Sequence, residues 1–144
     1  MAVKPIPDGY HTVTPYLTVP DLPKMLEFAK AAFSAHVYEA IADDSGMIRH
    51  AEMQIGDSRV MVGQARAEYP ATQSKLYLYV ESTDDVYQRA IAAGAKSILE
   101  PTDQFYGDRN AAVEDPQGNQ WWIATHVEDV TPEEMERRAK EQLK

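Results

Sequence analysis

The feature that most limits what this chain can fold into is an internal repeat at a little under half its length. Val19 opens VPDLPKMLEFAKAAFSA and Val80 opens VESTDDVYQRAIAAGA, 61 residues further on, so Ala29, Ala31 and Ala32 fall on Ala90, Ala92 and Ala93. His50 opens HAEMQIGDSRVMV and Ala112 opens AVEDPQGNQWWIA, 62 residues further on, which sets Glu52 against Glu114 and Gly56 against Gly118. Both matches keep the same order, a helix-like piece followed by a hairpin-like piece. Such a chain is two copies of one supersecondary unit, each needing its own sheet and its own covering helix.

Each copy reads as strand, helix, then strands, over about 10–64 and 74–126. Leu22, Met25, Leu26, Ala29 and Phe33 follow the i, i+3, i+4 spacing of one apolar helix face, with Asp21 placed to cap its start. In the second copy Thr83 or Asp84 is the candidate cap, Val86, Ala90 and Ala93 share a face, and Gly94 ends the helix. Strands are expected over Tyr10 to Val19, Ala35 to Ala42, Met47 to Ile55, Ser58 to Gln64, Ser74 to Glu81, Lys96 to Glu100, Arg109 to Glu114 and Asn119 to His126. Gly56-Asp57 and Gly118-Asn119 are the expected hairpin turns. Ala65 to Gln73 shows no pattern and is read as the link between copies. In the tail, Thr131 with Glu134 forms a capping box, Pro132 takes the first helical position, and Glu133–Arg137, Glu134–Arg138 and Glu136–Lys140 are favourable pairs. That tail helix, 131–144, has a narrow seam of Met135, Ala139 and Leu143, enough to rest lightly on the body or on a partner subunit.

Composition removes several function classes. The 144 residues include no cysteine, so disulfides, zinc–thiolate centres and cysteine nucleophiles are excluded, and no oxidising compartment is indicated. MAVKPIPDGY lacks the basic and apolar blocks of a secretory signal, and no window reaches the ~18 apolar residues of a membrane span. The expected location is the cytoplasm. A net charge of -9 disfavours nucleic acid and anionic lipid, both of which need a basic footprint.

Two βαβββ-like copies carrying VTPYLTVPDL, HAEMQIGDS, FYGDR and DPQGNQWWIATH in this order resemble the vicinal oxygen chelate superfamily. This group contains glyoxalase I, bleomycin-resistance proteins and extradiol dioxygenases, and the similarity is greatest to its PhnB-like branch. It covers roughly Tyr10 to Pro132. The resemblance implies an α+β fold in which two tandem βαβββ units form a curled mixed sheet around a cavity, with a C-terminal helix added. Residues 1–130 are then one domain, and a homodimer is the implied assembly.

Strand alternation sorts side chains between core and cavity. Val13, Leu17 and Val19 are expected under the helix, with Thr12, Thr14, Tyr16 and Thr18 turned to the cavity. Leu76, Leu78 and Val80 leave Lys75, Tyr77 and Tyr79 for it, and Ala51, Met53 and Ile55 leave His50, Glu52 and Gln54. In the last strand the repeat at 62 residues assigns Trp122 to the cavity and Trp121 to the core. The candidate ligand-binding set is therefore Thr14, Tyr16, His50, Glu52, Tyr77, Tyr79, Trp122 and His126. The DQFYGDR loop adds Phe105 as a lid and Arg109 as a clamp for an acidic group, or else a turn held by an Asp108–Arg109 pair. Glu114 is expected to pair with Arg109 or Lys75, and His11 and His36 to be structural or exposed.

Metal-using members of the superfamily place four ligands on the first and last strands of the two halves. The resemblance carries those positions to Thr14, Val60 or Glu52, Lys75 and Trp122. Threonine is a poor ligand, lysine repels a cation and indole offers only a donor N–H. The expectation is a protein without cofactor that holds a flat, partly polar organic molecule between aromatic walls, a divalent metal not being excluded. The alternative is a metal-dependent lyase, isomerase or dioxygenase with a rearranged site of His50, Glu52 and His126, or a metal-free enzyme using His50 or Glu52 as base. A third use makes the tail helix a protein-binding element.

Overall fold

The computed structural model describes residues 2–143. In chain order the elements are β1 (Tyr16–Val19), α1 (Leu22–Phe33), β2 (His36–Ala42), β3 (Ile48–Ile55), β4 (Ser58–Gln64), β5 (Lys75–Tyr79), α2 (Thr83–Ala92), β6 (Lys96–Asp103), β7 (Asp108–Glu114), β8 (Gln120–His126) and α3 (Pro132–Gln142). The fold is α+β, two tandem βαβββ units followed by a C-terminal helix. Its contacts divide the chain between Ser74 and Lys75 into two compact units. The first holds a mixed sheet in the order β1-β4-β3-β2 and the second one in the order β5-β8-β7-β6, and neither closes into a barrel.

In the first unit, Asp21 caps α1 by accepting from Lys24 N at 3.1 Å, and the helix ends at Ser34, whose left-handed φ of 55° stops the next turn. Leu22, Met25, Leu26, Ala29 and Phe33 are buried as the spacing requires, joined by Phe28 and Ala32. They cover Leu17, Val19, Ala51, Met53, Val60 and Val62, all buried. Each large side chain removed from water here contributes about 1.5–3 kcal/mol before entropy is counted. β1 begins only at Tyr16, not at Tyr10, because Pro7 turns the chain at Tyr10 and Pro15 has no N–H to give a ladder. Its carbonyl alone joins, accepting from Met61 N at 2.9 Å. Val13, expected under the helix, is therefore outside the strand and 82% exposed.

In the second unit, Ser82 caps α2, accepting from Asp85 N at 3.2 Å, in place of Thr83 or Asp84. Thr83 is buried instead, its hydroxyl bonded to Arg109 O at 2.8 Å and its N–H to Thr125 Oγ1 at 3.0 Å. Gly94 ends the helix with φ of 105°. Tyr87 fills more of the α2 face than Ala93, which is only half-buried. β6 runs past Glu100 to Asp103, accommodating Pro101 at an edge where its register against β7 slips.

The two hairpins differ by one residue, and this shifts the repeat. Ile55 pairs with Ser58 across a two-residue turn, whereas Asp115 N donates to Asn119 O at 2.8 Å across three residues, 116–118. Asp115 organises the longer turn, accepting from Gln117 N at 2.7 Å and Asn119 N at 3.1 Å and, through Oδ2, from Trp121 Nε1 at 2.7 Å. Since Tyr16 pairs with Met61 and Tyr77 with Trp122, Met61 corresponds to Trp122 and Val60 to Trp121. The expected match of Val60 and Val62 with Trp122 and Ala124 is corrected by one place. Likewise Glu52 corresponds to Ala112 rather than Glu114, and His50 to Asn110.

Candidate functional site

In the first unit, the face of the sheet turned away from α1 is polar. Register brings Tyr16 and Thr18 of β1, Met61 and Gly63 of β4, and His50 and Glu52 of β3 onto it. The Tyr16 ring lies across Gly63, where an added Cβ would come within 2.7 Å of the phenol oxygen, so only glycine permits this placement. Tyr16 Oη is 3.2 Å from His50 Nδ1. His50 Nε2 stands 3.9 Å from Glu52 Oε2, and Tyr10 Oη donates to the other carboxylate oxygen. Tyr16, His50, Glu52 and Tyr10 thus form a continuous polar chain across three elements.

Two cavities flank that chain. One, of about 470 Å³, is walled by Tyr16, Thr18, His50 and Gly63 and by Arg49, Arg66 and Tyr69. The other, of about 350 Å³, lies between the segment from Pro5 to Thr14 and the pair Glu52 and Met61. Both fall in the size range of ~300–1,000 Å³ typical of ligand pockets. The stretch after β4, expected as a patternless link, is locally built. Arg66 and Tyr69 exchange backbone bonds of 2.9 and 3.0 Å, closing a tight turn, and the Arg66 guanidinium lies 5.0 Å from the Tyr69 ring centroid. Nearby, Arg59 is packed with its guanidinium 3.7 Å from the Tyr38 centroid and 5.3 Å from that of Tyr10, which compensates for a buried Nε without a hydrogen-bond partner.

The corresponding face of the second unit is filled by its own side chains. Asp108, buried, accepts from Tyr77 Oη at 2.7 Å and Tyr79 Oη at 3.0 Å on one oxygen and meets His126 Nδ1 at 3.0 Å on the other. Asn110 Nδ2 donates to Tyr77 Oη at 3.1 Å and Tyr106 Oη at 2.7 Å, and its oxygen accepts from Gln104 at 3.0 Å. His126 Nε2 reaches Asp129 Oδ1 at 2.7 Å. Hydrogen bonds to the Asp108 and then the Asp129 carboxylate hold the imidazole pKa above its ordinary value. Burial pushes the Asp108 carboxyl up, but His126, Tyr77 and Tyr79 more than offset this and leave it below the usual carboxylate range. Burial, helped by the hydrogen bond to Asp108 and opposed by the bond from Asn110, raises the Tyr77 phenol. Beside this network Trp122 is half-exposed, with Lys75 Nζ 4.7 Å from its ring centroid, while Trp121 is buried.

The sequence model of the Glyoxalase/Bleomycin resistance protein/Dioxygenase superfamily matches residues 10–123 of this chain. The chain belongs to that superfamily. Its curated relatives include the uncharacterized protein Mb0911c of Mycobacterium bovis, 28% identical over 135 residues that cover 86% of this chain and 89% of that protein. Among solved structures, TioX from Micromonospora sp. ML1 superposes with a TM-score of 0.71 at 24% identity, covering 81% of this chain and 99% of that one. The fosfomycin resistance protein FosX from Mesorhizobium loti gives 0.61 at 18% identity, with 90% and 98% covered. A PhnB protein from Bacillus cereus gives 0.64 at 15% identity, with 80% and 99% covered. At these identities the structural likenesses establish the fold shared across the superfamily.

Of the positions that the resemblance assigns to metal ligands, only Glu52 carries a carboxylate, and Glu52 lies beside His50. Val60 is buried under α1, Thr14 sits outside any strand, and Lys75 brings its ammonium onto Trp122. Among the described residues no group of three or more His, Asp or Glu side chains is arranged to hold a metal ion. His50 and Glu52 adjoin within the first unit, whereas His126 spends both ring nitrogens on Asp108 and Asp129.

Two sequence expectations in the FYGDR loop meet a different arrangement. Arg109 alternates to the α2 side of β7 and forks onto Asp84 at 2.9 and 3.1 Å, with Asp103 at 3.2 Å, so it is neither paired with Asp108 nor free to clamp a ligand. Phe105 stacks edge-on against Tyr106 at 5.3 Å, and its carbonyl accepts from Arg138 Nη1 of α3 at 3.0 Å. Arg138 also bridges Glu128 at 2.7 Å and Glu134 at 3.0 Å, which ties α3 to the loop although none of its side chains is fully buried. Sequence reading missed Arg49, Gly63, Arg66 and Tyr69, and it paired Asp108 with Arg109 where the structure gives it Tyr77, Tyr79 and His126. Only the Arg66-x-x-Tyr69 spacing, closed by Pro70, carried a local signal of a turn.

Proposed function

We propose that this protein is a small-molecule-binding member of the glyoxalase/bleomycin-resistance group, holding a flat, partly polar organic molecule without a metal. The observation that carries this reading is the cavity of about 470 Å³ in the first unit, bounded by the Tyr16 and Tyr69 rings with His50 as a polar anchor. Aromatic walls with few polar points suit planar ligands, because stacking supplies area and the anchors supply orientation. Thr14 and Glu52 border the adjoining cavity and extend the same face. Tyr77, Tyr79 and Trp122 present a matching aromatic face on the second unit. Binding alone, by mass action, lowers the free concentration of a harmful compound.

The test is a thermal-shift screen of aromatic compounds on the purified protein, with and without EDTA, alongside metal content by mass spectrometry. Ligand stabilisation indifferent to EDTA and lost in Tyr16→Ala and His50→Ala supports the reading. Stoichiometric metal that disappears together with binding in His50→Ala overturns it. A second reading, an enzyme using His50 as general base, draws on the Glu52 carboxylate 3.9 Å from the imidazole and held in turn by Tyr10. It requires turnover of a bound compound that Glu52→Gln slows without changing its Kd. A homodimer in the cytoplasm, the assembly and location expected from the sequence, is checked by sedimentation and by fractionation.

A further inference from the structure

We infer that the cavity at Tyr16 and Tyr69 selects organic anions, an aromatic body bearing a carboxylate or similar oxyanion that Arg49 and Arg66 recognise. This rests on the reading above that the cavity takes an aromatic ligand. The chain carries 23 acidic against 14 basic residues, yet the cavity wall contains Arg49, His50 and Arg66 and no Asp or Glu. A random sample of this surface would give the opposite balance.

The manner in which the two arginines are held points the same way. Arg49 bonds Asp43 through Nε at 2.7 Å, and Arg66 approaches Glu68 through Nε at 3.3 Å. Neither acid lines the cavity. Among the described residues neither guanidinium has a hydrogen bond from Nη1 or Nη2, so a planar fork is oriented, in Arg66 partly by the Tyr69 ring, with its far edge open to a ligand. Other arginines are used differently. Arg109 spends its fork on Asp84 and Asp103, Arg138 on Glu128 and the Phe105 carbonyl, and Arg59 is packed on two tyrosine rings.

Arg49 and Arg66 reach the cavity from β3 and from the turn closed by Arg66 and Tyr69, and the bonded pair Tyr16 and His50 lines the same cavity. The net charge of -9 does not override this, because exposed charges beyond about 8 Å are largely screened at physiological salt. The side chains of Arg49 and Arg66 are 43% and 55% exposed, so the preference they impose is moderate and falls with salt.

The experiment titrates the full-length protein calorimetrically with matched acid, amide and amine forms of one ring, naphthoate, naphthamide and naphthylmethylamine, and with the same triplets built on benzene, indole and quinoline. Acids are expected to bind about tenfold more tightly than their amides, with the amines weakest. Arg49→Gln and Arg66→Gln should each cut the acid-to-amide ratio about threefold, while Arg66→Lys restores part of it. Raising NaCl from about 50 to about 500 mM should weaken the acids alone. Equal affinities for acid and amide, or tightest binding by the amine, overturn the anion preference and leave the organic-ligand reading standing. If no triplet binds, while the thermal-shift screen yields Tyr16-dependent ligands, the inference alone falls. If neither experiment yields a ligand, both fall.

Discussion

The same strand positions serve opposite ends in the two units. In the first, Tyr16, His50 and Glu52 form a chain that leaves open cavities on both sides. In the second, Tyr77 replaces Tyr16, Asn110 replaces His50 and Asp108 stands where the first unit has Ile48. The phenols, the amide and His126 then satisfy one another around a buried carboxylate. Small residues open the first face, Gly63 above all, where the second unit has Ala124. After duplication, one copy has its polar groups pointing at potential ligands and the other has them pointing inward. A buried carboxylate with three donors rigidifies its surroundings, whereas an open cavity keeps unsatisfied capacity for a guest.

That contrast can be broken most directly at Asp108. Asp108→Ala removes the buried acceptor shared by the Tyr77 and Tyr79 hydroxyls and the His126 ring and should cost about 2 kcal/mol by urea denaturation, while Ile48→Ala in the first unit should cost about 1 kcal/mol. Similar losses at the two positions would show that the second face is not held by its network. The next largest effect concerns the opening of the first face. Gly63→Ala should push the Tyr16 ring from its seat and weaken cavity ligands about tenfold, with less than about 1 kcal/mol change in stability. An unaltered Kd would mean that Tyr16 does not set the cavity's shape.

A pH dependence is expected at His126 of the second unit. The His126 pKa is raised in the folded state by Asp108 and Asp129, so its contribution to stability is complete below its ordinary value near 6.5 and is lost as pH rises through the higher folded value. The difference in urea midpoint between the wild type and His126→Gln should therefore shrink from pH 6 toward alkaline pH. A difference that stays constant or grows contradicts the ion pairing. The smallest effect is expected from Tyr79→Phe, since this ring is 66% exposed and Asp108 retains two other donors. It should lose less than about 0.5 kcal/mol, against about 1 kcal/mol for Tyr77→Phe, whose hydroxyl also accepts from Asn110.

Much of the fold was legible because it depends on local spacing. The α1 face from Leu22 to Phe33, the Asp21 cap, the Gly94 stop and the Thr131 capping box all express contacts within a few residues of one another. The alternation in β3 separated Ala51 and Met53 from His50 and Glu52 for the same reason. The register of the second hairpin was not legible at the same level. The three-residue turn between Asp115 and Asn119 and the two-residue turn between Ile55 and Ser58 both carry a glycine, and one inserted residue moves every partner without altering the pattern around it. The cap at Ser82 was missed because Thr83 satisfies the same rule, and only packing against Thr125 decides which side chain turns inward.

The sequence by itself determined two copies of one βαβββ unit, which faces of their strands are polar, the absence of thiol chemistry and membership of a recognisable superfamily. The first three follow from composition, repetition and periodicity and the last from the resemblance of motifs in a fixed order, none of which a tertiary contact can change. Only the tertiary structure decided that Arg109 belongs to Asp84, that Asp108 gathers Tyr77, Tyr79 and His126, and that Arg49 and Arg66 come to one cavity wall. Each of these is a choice among several acidic, basic or aromatic partners of equal chemistry. Distance after folding makes that choice, and the order of residues along the chain does not encode it.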